Sequence, residues 1–213
     1  MIQILIADDH DVVRQGIHAL VDEHDGWNVC AEASTGREAV AKARELRPDL
    51  VILDVGMPEM NGLEAARQIH ASVPKTKLLI LTVHEIEHLA EDFVEAGARG
   101  YILKSDAGSL LVEAVDTLMK GGLFFSTRMR EVLQGSAQRA AHLGGSADVR
   151  LTRREREVLQ LVAEGKSNKE IGVALQITTK TAETHRARMM AKLSLHSVAD
   201  LVRYAIRNQI IEA

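Results

Sequence analysis

A chain of 213 residues has room for two small domains, and 46% hydrophobic residues supply ordinary cores, which excludes a disordered protein. No apolar run reaches the ~18 residues of a membrane span, the N-terminus lacks signal-peptide features, and the single cysteine, Cys30, excludes an internal disulfide framework; the expectation is a soluble cytoplasmic protein with no membrane contact. The net charge of −4 hides an asymmetry: residues 1–122 carry 11 Lys and Arg against 21 Asp and Glu, whereas residues 149–213 carry 12 against 7, a basic region suited to phosphates.

In chain order, Ile2–Ala7 reads as an apolar strand ending at Asp8 and Asp9, and Val12, Val13, Gly16, Ile17, Leu20 and Val21 then recur at helical spacing. Trp27–Ala33 is a second strand. Thr35 with Glu38 forms a capping box for a helix that Pro48 ends. Leu50–Asp54 is continuously apolar up to its last residue, as expected of a strand covered on both faces. Asn61 and Glu64 open a helix through Ile69. Lys77–Val83 and Gly100–Lys104 are the fourth and fifth strands, separated by a helix ending near Gly97, and a last helix carries Leu110, Leu111, Ala114, Val115 and Leu118 up to Gly121 and Gly122. Five βα units predict an α/β fold, a flavodoxin-like doubly wound parallel sheet of five strands.

Ligands of such sheets sit at the carboxyl ends of the strands, and those ends carry Asp8, Asp9, Asp54, Thr82, His84 and Lys104. Carboxylates converging at one edge repel unless a cation sits among them, and hard oxygen ligands in an incomplete cage suit Mg²⁺. An Asp ending a buried strand is then a candidate nucleophile for an aspartyl phosphate. The phosphoryl oxygens need a fixed ammonium, which Lys104 offers, and Thr82 can hydrogen-bond one of them.

The stretches Ala7–His10 (ADDH), Asp54–Gly62 (DVGMPEMNG), Leu81–His84 (LTVH) and Gly100–Asp106 (GYILKSD) resemble the receiver domain of two-component response regulators. The resemblance implies Asp54 as phosphoacceptor, Asp9 as a direct Mg²⁺ ligand, Asp8 as a ligand through water, and the backbone carbonyl of Gly56 as a further ligand. It also implies Thr82 and Tyr101 as a switch pair, Lys104 as the phosphate partner, a sensor histidine kinase as phosphodonor, and a regulator rather than an enzyme. His84–His88 also spells HExxH, a zinc-peptidase pattern. That chemistry needs both histidines on one long helix, whereas this match starts where a strand is ending, so a solvated loop is the preferred reading.

From residue 122 to 148 the pattern weakens into small and polar residues, read as a linker with a short helix over Thr127–Leu133. The expected division is a receiver over 1–121, a linker over 122–148 and an all-α four-helix domain over 149–213. There, Thr152 with Glu155 and Ser167 with Glu170 form capping boxes for Arg153–Glu164 and Asn168–Leu175, Thr178 caps a run to Leu193, and Ser197–Arg207 is last. The middle pair fits a helix-turn-helix, whose second helix enters the DNA major groove. Ala182, Met189 and Leu193 share its inward face, leaving Lys180, Glu183, Thr184, Ala187 and Arg188 outward for base edges.

Leu151–Ile171 and Thr179–Leu193 closely resemble the LuxR-type helix-turn-helix, and the domain order is similar to the NarL/FixJ group. This implies phosphate contacts from Asn168, Lys169 and Thr181, base readout from the outward face with His185 beside it, promoter DNA as partner, and a homodimer formed through the last helix. Three positions depart from the pattern: Arg153 replaces a common proline, Gln176 a turn glycine, and Ala182 a usual valine. Phosphorylation is expected either to drive dimerisation or to release the second helix of the motif from the receiver.

Overall fold

The structure, a computed structural model, describes residues 1–83, 90–125, 130–131, 151–208 and 210–211. Its first part alternates β1 (Ile2–Ala7), α1 (Asp11–Asp22), β2 (Trp27–Ala33), α2 (Gly36–Leu46), β3 (Leu50–Asp54), α3 (Gly62–Ser72), β4 (Lys77–Thr82), α4 (Ala90–Glu95), β5 (Ala98–Leu103) and α5 (Ala107–Met119). All strand pairs are parallel, in the order β2-β1-β3-β4-β5. The period of two along each strand divides the core in two. Leu5, Val51, Leu53, Leu78 and Ile80 face α2, α3 and α4, whereas Ile4, Ile6, Leu50, Ile52, Leu79 and Leu81 face α1 and α5. β3 is buried along its whole length, which is why it reads as an unbroken apolar run.

Local chemistry sets the boundaries. The Thr35 side chain accepts from the Glu38 N–H, but the Glu38 carboxylate turns back to the Ser34 N–H, so the expected reciprocal box is only half made. α2 stops at Arg47, which takes φ 48° immediately before Pro48, where the proline ring disfavours the helical region. β5 begins two residues earlier than expected and ends at Leu103, so that Lys104 opens a 3-10 turn instead of closing the strand. Its outer edge is covered by residues expected to be linker: the Phe124 carbonyl accepts from the Tyr101 N–H at 2.8 Å, and Phe125 is buried in the core. Of the short helix expected over Thr127–Leu133, only residues 130 and 131 are described, and both are helical.

The second part contains α6 (Arg153–Ala163), α7 (Asn168–Leu175), α8 (Thr179–Lys192) and α9 (Val198–Arg207). Both expected capping boxes are complete, at Thr152 with Glu155 and at Ser167 with Glu170. Val158, Leu161, Ile171, Leu175, Ala182, Met189 and Leu201 make its own core. The opposite face of α6 is covered by the first domain. There Gln160, Glu157, Arg153 and Arg156 meet the β3–α3 loop, Glu64 and Gln68.

Candidate functional site: an acidic strand-end pocket and a helix-turn-helix

Asp8 and Asp9 leave β1, and Asp54 is the last residue of the adjacent β3. Parallel pairing therefore carries all three to one edge. Together with His10 they offer ligand atoms within 4.8 Å of one another. Asp8 and Asp54 are 0% and 1% exposed. Lys104, delivered by the end of β5, places Nζ 2.9 Å from Asp8 Oδ2 and 3.0 Å from Asp54 Oδ1 as ion pairs. His10 Nδ1 lies 2.8 Å from Asp9 Oδ1.

Burial, then the neighbouring Asp8 charge, pushes the Asp54 carboxyl up to about 6 against the opposing pull of Lys104. Burial works against the Lys104 ammonium, but Asp54 and Asp8 outweigh it and hold its pKa above the ordinary value. The pocket is thus short of positive charge. Asp54 Oδ2 is buried with no hydrogen-bond partner. A set of hard carboxylate oxygens with one acceptor left over fits a small divalent cation that retains waters.

Thr82 ends β4 and is buried. Thr82 pairs with Leu103 and Ile80 with Tyr101, so period-two alternation puts Thr82 and Tyr101 on the same face of the sheet. Tyr101 is 8% exposed and packs into the core on that face. Gly56 lies two residues beyond Asp54, in the loop that returns to α3. That loop is drawn tight: a Cβ at Gly62 would come within 2.0 Å of the Asp54 carbonyl oxygen, so only glycine lets α3 start against the end of β3. The HExxH stretch, His84–His88, lies outside the described residues.

In the second domain Ala182 and Met189 of α8 are fully buried and Leu193 partly so, whereas Lys180, Thr181, Glu183, Thr184, Ala187 and Arg188 are exposed. Asn168 and His185 are half-buried and Lys169 is exposed. A groove between α7 and α8 is lined by Lys169, Gln176, Thr178 and Thr181. Gln176 takes φ 54°, the left-handed turn conformation expected of the position where it replaces glycine.

Three features lay beyond sequence reasoning. Arg186 on α8 reaches Asn168 at 3.3 Å, and Lys192 pairs with the capping carboxylate of Glu155 at 2.7 Å. The third is the domain contact. Arg153 donates to Gln68 at 2.8 Å, which gives the residue standing where proline is common a role across that contact. Arg156 pairs with Glu64, also at 2.8 Å. The only sequence hint was the excess of arginine in an otherwise ordinary amphipathic helix.

An acidic pocket with an ammonium at the strand ends of a doubly wound sheet, followed by a capped helix-turn-helix, defines a response regulator. The chain matches the response regulator receiver domain over residues 4–116 and the bacterial regulatory proteins of the luxR family over residues 149–205. It belongs to the response regulators that join these two domains, the NarL/FixJ group. It is 37% identical to oxygen regulatory protein NreC of Staphylococcus epidermidis over 99% of each chain. Among solved structures it is similar to a LuxR-family two-component response regulator from Aurantimonas sp. SI85-9A1 (33% identity, 65% of this chain and 99% of that one, TM-score 0.59). It is also similar to RcsB from Salmonella enterica serovar Typhimurium bound to promoter P1flhDC in the presence of the phosphomimetic BeF3- (25% identity, 98% of both chains, TM-score 0.59). These relatives are regulators, not enzymes.

Proposed function

We propose that this response regulator accepts a phosphoryl group on Asp54 from a sensor histidine kinase and thereby controls promoter binding by its C-terminal domain. The observation that carries the reading is the convergence of Asp8, Asp9, Asp54 and Lys104 from three strands into one buried, anion-rich pocket. Asp54 Oδ2, with no hydrogen-bond partner, is the free nucleophile. It attacks phosphorus, the phosphorus–nitrogen bond of the donor phosphohistidine breaks, and the imidazole leaves with a proton. Mg²⁺ held by Asp9, Asp54, the Gly56 carbonyl and, through water, Asp8 would neutralise charge on the phosphoryl oxygens. Lys104 pairs with one of those oxygens and Thr82 donates to another, with Tyr101 following Thr82 inward.

The working division is a receiver over 1–121, a connecting segment over 122–148 and a DNA-binding unit over 149–213. Asn168, Lys169 and Thr181 hold phosphates, and Lys180, Glu183, Thr184, His185, Ala187 and Arg188 face the bases. The active species is a homodimer working in the cytoplasm, where its DNA is; among the described residues no helix is long and apolar enough to cross a membrane. Of the two switching routes, unmasking of α8 fits poorly, because its outward side chains are already exposed while α6 is the covered helix. Asp54→Asn should abolish phosphate incorporation from acetyl phosphate in Mg²⁺ and any phosphodonor-dependent gain in promoter gel shift; continued incorporation would overturn the assignment.

A further inference from the structure

The loop that leaves Asp54 and returns to it is held by the other domain. Gln160 of α6 is 2% exposed, and its two amide functions are divided between the ends of that loop. Its Nε2 donates to the Met57 carbonyl at 2.9 Å, and its Oε1 accepts from the Asn61 N–H at 2.7 Å. Between these two points Glu164 Oε1 accepts from the Glu59 N–H at 3.0 Å, at a residue forced to φ 65° without being glycine. Glu164 also accepts the second Gln160 N–H at 2.8 Å, which fixes the amide orientation. Three backbone groups of the loop, on Met57, Glu59 and Asn61, are therefore satisfied by the last turn of α6 and its C-cap, not by the receiver itself.

The stapled segment is mechanically continuous with the acceptor. Met57 is three residues from Asp54, and Asn61 precedes the Gly62 that packs directly on the Asp54 carbonyl. Gly56 is the immediate neighbour of Met57, so a shift of the loop at Gly56 bears directly on the Met57–Gln160 hydrogen bond. Gln160 has no part in the core of its own domain, where α6 contributes Val158, Leu159, Leu161 and Val162. A buried amide pointing away from its own core needs partners elsewhere, and here they all belong to the phosphoacceptor loop or to Glu164.

We propose that Gln160, with Glu164, is a positioning residue for the Asp54 loop: by holding the Met57, Glu59 and Asn61 backbone from the other domain, the pair keeps the loop away from the geometry in which Asp54 accepts a phosphoryl group and so slows the transfer. This rests on Asp54 being the phosphoacceptor. It differs from masking of the DNA-binding helix, because the clamp lies on α6 and acts toward the phosphorylation site.

The test uses the full chain and three variants: Gln160→Met, which keeps the bulk but cannot hydrogen-bond, Gln160→Ala, and Glu164→Ala. Hydrogen exchange at the Glu59 and Asn61 amides is measured alongside the rate of phosphoryl incorporation from acetyl phosphate over a range of donor and Mg²⁺ concentrations. Expected are loss of Asn61 protection in both Gln160 variants, loss of Glu59 protection in Glu164→Ala, and a maximal incorporation rate raised about five- to tenfold, the scale of one or two hydrogen bonds released. In the wild type the phosphodonor should deprotect the same amides. If Gln160→Met exchanges and phosphorylates like the wild type, the residue is filler and the proposal falls. If both amides are deprotected with no change in rate, the clamp exists but does not position the acceptor, and the proposal also falls. A wild type that takes up no phosphoryl group, with its loop amides normally protected, would instead sink the assignment of Asp54. Circular dichroism melts of each variant verify folding, and Glu164→Ala, at the half-buried C-cap of α6, carries the test if a Gln160 variant does not fold.

Discussion

At the level of single residues the acidic pocket is organised against stability. Asp54 has its carboxyl pushed up to about 6, so the folded protein binds that proton more tightly than the unfolded chain does. Its effect on stability is therefore neutral below pH ~4 and becomes a cost as the pH rises through about 6. Asp54→Asn should be more stable than the wild type by about 2–3 kcal/mol at pH 8 without divalent cations, with the advantage shrinking below pH 6 and absent near pH 4. Urea titrations at those pH values check the sign, and an Asn variant less stable at pH 8 would contradict the electrostatic account. Gln176 illustrates strain of another kind: at φ 54° its side chain crowds the backbone, so Gln176→Gly should stabilise the C-terminal domain by about 1 kcal/mol, read from its thermal unfolding.

At the scale of elements, caps and close approaches do most of the positioning. The Ser167 hydroxyl and Glu170 carboxylate close the start of α7, the turn that carries Lys169. Ser167→Ala should cost about 1 kcal/mol of stability and weaken DNA binding with it. The start of α3 has no such tolerance. Gly62→Ala would drive a methyl into the Asp54 carbonyl, and relief requires a backbone shift; a loss of about 2 kcal/mol or more and slowed phosphoryl incorporation should appear together. The capping motifs were legible because a cap is a local interaction between residues three apart. The half-made box at Thr35 shows the limit: the spacing is right, but the Ser34 N–H captures the carboxylate first.

On the scale of the whole molecule, an acidic receiver and a basic DNA-binding unit meet, among the described residues, through a cluster of buried polar groups. Glu64, Gln68, Glu157 and Gln160 are all buried there, each with partners across the contact or beside it. Contacts of this composition separate more readily than hydrophobic ones. The exposed α8 face should behave as a base-reading surface: Lys180→Ala should weaken promoter binding and relax its sequence preference, whereas Lys169→Ala should reduce the slope of log K against log salt by about 1. A slope reduced by about 1 in Lys180→Ala, with sequence preference kept, would place Lys180 on a phosphate instead.

The linear chain by itself determined the five βα units, the helix-turn-helix and the strand-end acids, because each follows from short-range periodicity, cap spacing or the rule that parallel sheets gather ligands at one edge. Asp8, Asp9, Asp54 and Lys104 could be named together before any distance was known. Tertiary structure alone decided that Phe124 and Phe125 cover the edge of β5, that α6 rather than α8 meets the receiver, and that Gln160 reaches Met57 and Asn61. The Gln160 pairings join residues about a hundred positions apart through an amide that carries no charge and no periodic signature. Nothing local distinguishes such a glutamine from a solvated one, so only the packing of one domain on the other could assign its partners.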